Sequence, residues 1–297
     1  MEYKKIVEGK NLQKCFKNFT LSLPEFEIPE GFATALIGEN GAGKTTLLNM
    51  LSGLRLDYKG MFSYFGKPLC NEPSCEDKLD IAYTGTDNFF LPHWTVAQIR
   101  DICNLLYSNF DDEKFMRLYD ELAISQGNGF DKNKKVSSLS DGTKMKLTLA
   151  TAFARDSKLM IMDEPASPLD PLMRDKLCEM IHNYINEREG NTVFFSTHNI
   201  SDMENVTDYA IIMERGLIVE KGFVEDLKEK YILVKGEAKD FDEAKKVLYT
   251  ISGNKYGFEG ICLADDLDKL AGMDITTETA SLFQISVAVM KKNTLVK

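Results

Sequence analysis

The nine residues Gly38-Glu39-Asn40-Gly41-Ala42-Gly43-Lys44-Thr45-Thr46 restrict the fold more than any other stretch of the 297-residue chain. They follow the apolar run 32–37, which reads as a buried strand. They precede Leu47, Leu48 and Leu51, which share one face of a helix that Gly53 ends. Strand, glycine loop and helix, in that order, make the setting of a phosphate-binding loop. Gly38, Gly41 and Gly43 let the backbone curl until successive N–H groups point at a phosphate chain, and the helix N-terminus adds partial positive charge. Lys44 is then placed to reach β- and γ-phosphates, and the Thr45 hydroxyl to ligate Mg²⁺.

Charge narrows the partners. The chain carries 46 acidic and 36 basic residues, a net charge of −10. That balance argues against a broad electrostatic footprint on nucleic acid or anionic lipid. The start, Met1-Glu2-Tyr3-Lys4-Lys5, leads into no apolar core of a secretory signal, and no run of 18 apolar residues occurs, so no membrane span is expected. Of six cysteines only Cys70 and Cys75 are close, with no histidine near them. Free thiols in a reducing cytoplasm are expected rather than zinc or disulfides.

Along the chain, residues 3–31 read as short strands broken at Pro24 and Pro29, and 58–64 and 81–83 as further strands. Phe16, 22 positions before Gly38, lies in a segment that can fold back over a nucleotide and offer its ring to adenine. From 95 to 155 the apolar spacing is helical, as in Val96, Ile99, Ile102 and Leu106 and then Phe115, Leu118 and Leu122, with a polar loop over 126–135. Between strand and lobe, residues 88–94 include Phe89, Phe90 and Trp94. They either pack locally or present a docking surface to another chain. The apolar run 158–162 delivers Asp163-Glu164 to a strand's C-terminal end, where open α/β sheets bind ligands. Asp170 caps a helix with Pro171 at its first position and Gly190 beyond its end. The strand 192–196 leads to His198, and 209–213 with 217–219 forms a hairpin. The tail reads as a strand at 232–234 and helices at 241–251 and 281–289.

Four further segments join the glycine loop: Leu139-Ser140-Asp141-Gly142-Thr143, Asp163-Glu164-Pro165, Ser167-Pro168-Leu169-Asp170 and Ser196-Thr197-His198. In this order and spacing, residues 4–222 resemble the ATP-binding subunit of an ATP-binding cassette (ABC) transporter. The resemblance implies an α/β P-loop NTPase of ABC type, with an antiparallel β subdomain and an inserted helical lobe over about 87–155. An ATP-binding domain would occupy 1–235, and a small α+β extension 236–297. ATP and Mg²⁺ are the implied cofactors. Asp163 would hold Mg²⁺ through water beside Thr45, and Glu164 would polarise the attacking water. His198 resembles the γ-phosphate sensor, while His93 and His182 read as ordinary structural histidines. Phe16 matches the adenine-stacking aromatic, and Thr86 occupies the place of a glutamine that reaches Mg²⁺. Ser140 and the Gly142 backbone would face ATP held by a second ATP-binding subunit, identical or a paralogue, in a head-to-tail dimer.

The departures from the pattern are Thr86, Asp141 and Thr143 in the signature, and Pro168 in the following loop. Threonine is shorter than glutamine, which puts Mg²⁺ contact there in question, with Asp87 as an alternative. A carboxylate at 141 repels a γ-phosphate unless it points away or caps the helix, so a modest ATPase is expected. The segments Gly142-Thr143-Lys144-Met145-Lys146-Leu147 and 165–171 look more like export-type subunits served by a separate membrane permease. The subunit would then be cytoplasmic, peripheral on the membrane, with no nucleic-acid partner. Two other readings stand: a soluble ABC ATPase acting on ribosomes or DNA, and a cassette that binds ATP to regulate.

Overall fold

The strand leading into the glycine loop, β3 (Ala33–Ile37), is buried along its whole length, as a central strand of a parallel sheet covered on both faces must be. Alternation divides its side chains. Ala33, Ala35 and Ile37 join one core and Leu36 the other. The computed structural model describes residues 3–85, 90–125 and 130–295. In it β3 pairs in parallel with β7 (Thr192–Thr197) on one side and β8 (Tyr209–Glu214) on the other. The sheet continues through β6 (Leu159–Met162) to β5 (Ile81–Thr84), and on the far edge β9 (Leu217–Phe223) returns antiparallel to β8. The order is β5-β6-β7-β3-β8-β9. The C-terminal ends of β3, β6 and β7 therefore meet on one rim.

One face of this sheet is covered by α1 (Lys44–Leu51) and a second sheet, β1 (Lys5–Cys15), β2 (Thr20–Pro29) and β4 (Lys59–Tyr64), antiparallel in the order β2-β1-β4. Pro24 does not break β2, contrary to expectation. β2 is an edge strand, where a missing N–H costs no ladder bond, and opposite it β1 is irregular at Asn11, whose φ is 51°. A short helix α2 (Cys75–Leu79), capped by a reciprocal Ser74–Asp77 pair, leads into β5. The other face carries α6 (Pro171–Glu187) and the helical lobe of α3 (Val96–Leu106), α4 (Asp112–Glu121) and α5 (Asp141–Phe153). Their starts follow capping chemistry: Thr95 and Gln98 form a capping box on α3, while Asp111 caps α4 and Asp170 caps α6 ahead of Pro171. All six cysteines are free.

Beyond β9, α7 (Val224–Lys230) leads to β10 (Tyr231–Glu237), inside which the expected boundary at residue 235 falls. The expected helix over 241–251 is mostly wrong. Only α8 (Phe241–Ala244) is helical, and Thr250–Gly253 is β11. With β12 (Gly257–Leu263) and β13 (Ile275–Thr279) they form an all-antiparallel sheet ordered β11-β12-β10-β13. This is a split βαβ arrangement, because β12 inserts between β10 and β11. The final helix α9 (Leu282–Leu295) returns to the main core, with Leu282, Ile285 and Ala288 fully buried in the same cluster as Ala210 and Ile212 of β8. The Leu282 N–H donates to Glu204 Oε1 at 2.9 Å. Among the described residues no helix is long and apolar enough to cross a membrane.

Candidate functional site

The glycine loop turns at the end of β3 under tight constraint. A Cβ on Gly38 would lie 2.4 Å from the Met213 carbonyl, and one on Gly43 2.8 Å from the Phe19 ring. Gly41 and Gly43 have φ of 85° and 106°, left-handed values that favour glycine. The Gly216 N–H donates to the Ala42 carbonyl at 2.9 Å, tying the loop to the β8–β9 turn. Inside the curl the buried Lys44 Nζ donates to the Gly38 carbonyl at 2.7 Å and the Glu39 carbonyl at 3.3 Å. Its third neighbour is Glu164 Oε1 at 3.2 Å.

The ends of β6 and β7 add the remaining groups. Thr45 Oγ1 donates to Asp163 Oδ2 at 2.7 Å, and Ser196 Oγ donates to Asp163 Oδ1 at 2.5 Å. The same Ser196 oxygen accepts the Glu164 N–H at 2.9 Å. Glu164 holds φ at 49°, a setting that costs a non-glycine residue on the order of 1 kcal/mol. The Ser196 bond keeps it there and aims the carboxylate. Glu164 Oε2 lies 2.7 Å from His198 Nδ1. One carboxylate is thus shared between a buried lysine and an exposed histidine. Ser196 is a positioning residue that the sequence reading did not single out; its place two residues before His198, facing Asp163 across adjacent strands, was the available signal.

Lys44, Thr45, Asp163 and Glu164 line a cavity of about 570 Å³ that also takes in Phe16, Phe19, Asn40, Gly41, Gly43 and Thr46. Ser196 and His198 are not in that lining and touch it through Asp163 and Glu164. Phe16 is 41% exposed at its mouth, with Lys14 Nζ 5.3 Å and the Arg55 guanidinium 5.5 Å from its ring centroid. Asp57 holds both cations, Lys14 at 2.5 Å and Arg55 at 3.1 Å. The hydroxyl of Thr45 and the carboxylate of Asp163 are oxygen donors only. With phosphate oxygens and water, such a set fits Mg²⁺, which takes few protein ligands. Among the described residues no denser group of histidine, cysteine and carboxylate side chains could hold a metal. When bound, Mg²⁺ neutralises charge on the phosphates.

Of the other sequence-selected residues, Gly38, Glu39 and Ala42 belong to the loop without lining this cavity, and Ser140, Asp141 and Gly142 stand apart from it. Ser140 caps α5, accepting the Thr143 N–H at 3.2 Å. Gly142 follows it, and a Cβ there would meet the Pro168 carbonyl at 2.9 Å, so glycine is what lets the segment after Asp163-Glu164 pass so close. Neither lines the cavity of its own chain. Asp141 points outward at 88% exposure and pairs with Lys144 at 2.9 Å. Its charge is neutralised in the first turn of a helix, where a carboxylate is favourable. Thr86 lies outside the described residues, as do Asp87, Asn88 and Phe89. Trp94 packs partly buried against the lobe core.

Comparison with known proteins agrees with this geometry. A family profile described as "ABC transporter" matches residues 21–167. The chain is 26% identical over 230 residues to the ABC transporter ATP-binding protein YtrB of Bacillus subtilis (strain 168), covering 77% of this chain and 76% of that one. It is 30% identical over 196 residues to the thiamine import ATP-binding protein ThiQ of Jannaschia sp. (strain CCS1), covering 64% of this chain and 81% of that one. In fold it is similar to an ATP-binding cassette solved as a dimer in a post-hydrolysis state with ADP and Pi, at a TM-score of 0.61 and 21% identity, over 73% of this chain and 98% of that one. The chain belongs to the ATP-binding subunits of ABC transporters, and it is an ATPase.

Proposed function

We propose that this chain binds MgATP between Phe16 and Glu164, hydrolyses it, and through a separate membrane permease drives a substrate outward across the membrane. The observation that carries the reading is the pair of contacts on Glu164, Lys44 on one carboxylate oxygen and His198 on the other. The γ-phosphate of ATP competes with Glu164 for Lys44, because both are anions within reach of one buried cation. Released from Lys44, the carboxylate stays oriented by His198 and by the Ser196 bond at its backbone. It is then free to accept a proton from the attacking water. His198 keeps Nε2 for the γ-phosphate. Lys44 and the loop N–H groups bind the β- and γ-phosphates, and Phe16 stacks on adenine.

Ser140 and the Gly142 N–H complete the site of a second ATP-binding subunit in this proposal. Their place outside their own chain's cavity supports it, as does the dimeric state of the cassette of similar fold. The motor spans residues 1–235 with its lobe at 87–155, and 236–297 form an extension. For the permease, the support is a groove of about 350 Å³ between lobe and sheet, lined by Leu54, Tyr83, Phe90, Tyr107 and Arg155. Leu54, Leu105 and Leu106 are all more than half exposed nearby in the fold and along α3. On this reading the subunit works at the cytoplasmic face of the membrane. The outward direction rests on the segment 142–147, which resembles export-type subunits. ThiQ, named for import, weighs the other way, and ATP-driven accumulation in inside-out vesicles carrying the permease decides it.

The decisive test of the chemistry is Glu164→Gln. The amide keeps the shape but accepts no proton, so phosphate release should fall at least about 100-fold while ATP stays bound. Light scattering with ATP should then show a dimer. Parental hydrolysis by the variant would remove Glu164 as the base, and a monomer at high concentration would remove the two-subunit site.

A further inference from the structure

The glycine loop has two sides. Asn40 and Gly41 border the nucleotide cavity on one side and a second, larger cavity of about 730 Å³ on the other. The second cavity lies between the loop, the β8–β9 turn and the C-terminal extension. Its floor is apolar, from Leu248 and Ile251, with the half-buried Tyr249 beside them. Its rim is cationic: Arg215 on the turn, Lys245 after α8 and Lys291 on α9. Outside the lining, Lys292 places its Nζ 3.3 Å from the centroid of the Tyr249 ring. Glu39 and Glu214 oppose them, but Glu214 lies 3.6 Å from Arg215. Among the described residues Lys245 and Lys291 have no carboxylate partner. In a chain of net charge −10 this is a local reversal of sign.

We propose that this cavity binds a small organic anion, an acidic group carried on an apolar or aromatic body, and that its occupant changes nucleotide affinity through the shared loop. The volume is that of a small-molecule pocket. The lining pairs an apolar surface with convergent positive charge, which excludes both a purely hydrophobic ligand and a cation. A polyphosphate is disfavoured as well, because Glu39 stands on the rim and the loop's converging N–H groups serve the opposite side. Anything seated against Asn40 and Gly41 contacts the segment that must wrap the β-phosphate. The two binding equilibria are therefore linked, and by the same factor in each direction.

The test uses the full chain and the probe 8-anilinonaphthalene-1-sulfonate, a sulfonate on an aromatic body. Its fluorescence should titrate to one saturable site with ADP present. The double variant Lys245→Glu/Lys291→Glu should weaken that site at least tenfold while binding ADP as the parent does. Ile251→Glu, which puts a carboxylate on the apolar floor, should do the same by a different route. Saturating probe should shift the ADP dissociation constant at least threefold. Parental probe affinity in both variants, or stoichiometric displacement of the probe by ADP, would overturn the site. An ADP affinity unmoved by saturating probe would overturn the coupling. ADP titrated alone reports the nucleotide cavity by itself, so failure of the second cavity is distinguishable from failure of the first.

Discussion

Ser196 is the residue on which the geometry of the two carboxylates converges. Its hydroxyl donates to Asp163 and accepts from the Glu164 backbone, so one buried oxygen positions both the carboxylate proposed to face Mg²⁺ and the one proposed to face water. Removing it leaves a strained φ at Glu164 without its hydrogen bond. The cost of a buried polar group losing its partner is about 1–3 kcal/mol. Ser196→Ala should therefore lower kcat by about tenfold or more with ADP affinity little changed, measured by steady-state phosphate release and nucleotide titration. Equal losses in both would assign Ser196 to binding instead. Asp141 makes the opposite point. In the sequence it is an extra negative charge in a phosphate-facing motif, and in the folded chain it is outside, paired with Lys144.

At the scale of elements, two attachments hold the pieces around the central sheet. The first is Glu27 on β2, which accepts from Lys221 of β9 at 2.7 Å and pairs with Lys5 of β1 at 2.8 Å. Burial alone would raise its pKa, but the hydrogen bonds from Lys221 and Lys5 overrule it and hold the carboxyl at about 2, against an ordinary 4.5. A depressed carboxylate stabilises fully above its unfolded value, and that stability is lost as pH falls toward the folded value. Glu27→Gln should lower stability by about 1–2 kcal/mol at pH 7. The gap to the parent should narrow between pH 5 and pH 2 in chemical denaturation, and a gap independent of pH would refute the ion-pair account. The second attachment is α9. Ile285 is fully buried between α9 and the main core, so Ile285→Ala should cost about 2–4 kcal/mol. One cooperative transition at lower denaturant is the expected result. An unchanged midpoint would mean that the extension is not docked in solution.

At the scale of the whole molecule, the proposed motor cycle uses three surfaces. The rim where β3, β6 and β7 end is proposed to face nucleotide, the N-terminus of α5 a second subunit's nucleotide, and the groove beside Tyr107 the permease. Arg155 builds that groove. Its guanidinium lies 3.9 Å from the Tyr107 ring centroid and donates to the Lys78 and Leu79 carbonyls at 3.1 Å, pinning the end of α5 to the approach of β5. Movement of the lobe therefore reaches the strand that neighbours β6. Leu54→Glu, an exposed change on the groove's lip, should leave ATP hydrolysis by the isolated subunit at parental rates. It should also reduce co-purification with the permease from membranes at least about tenfold, the order expected when a buried interface receives an unpaired charge. Undiminished recovery of the complex would move the docking surface elsewhere.

From spacing alone the parallel sheet, the loop at its rim and the family were legible, and Lys44, Thr45, Asp163 and Glu164 were selected as candidates that the fold then brings together. Those features are local in spacing: a glycine pattern between a strand and a helix, or two acids at a strand end, can be read without knowing what lies opposite. The sequence did not reach the outward turn of Asp141, the part played by Ser196, the continuous β2 through Pro24, or the strands between 250 and 279. Each of these depends on what lies opposite in space. Pro24 is tolerated because its strand is at an edge, and Ser196 matters because β6 and β7 are neighbours. Thr250–Gly253 is a strand because Gly257–Leu263 pairs with it. Likewise it takes the folded chain to show that the C-terminal extension returns through α9 to share a cavity wall with the glycine loop, since that wall joins residues some 250 positions apart.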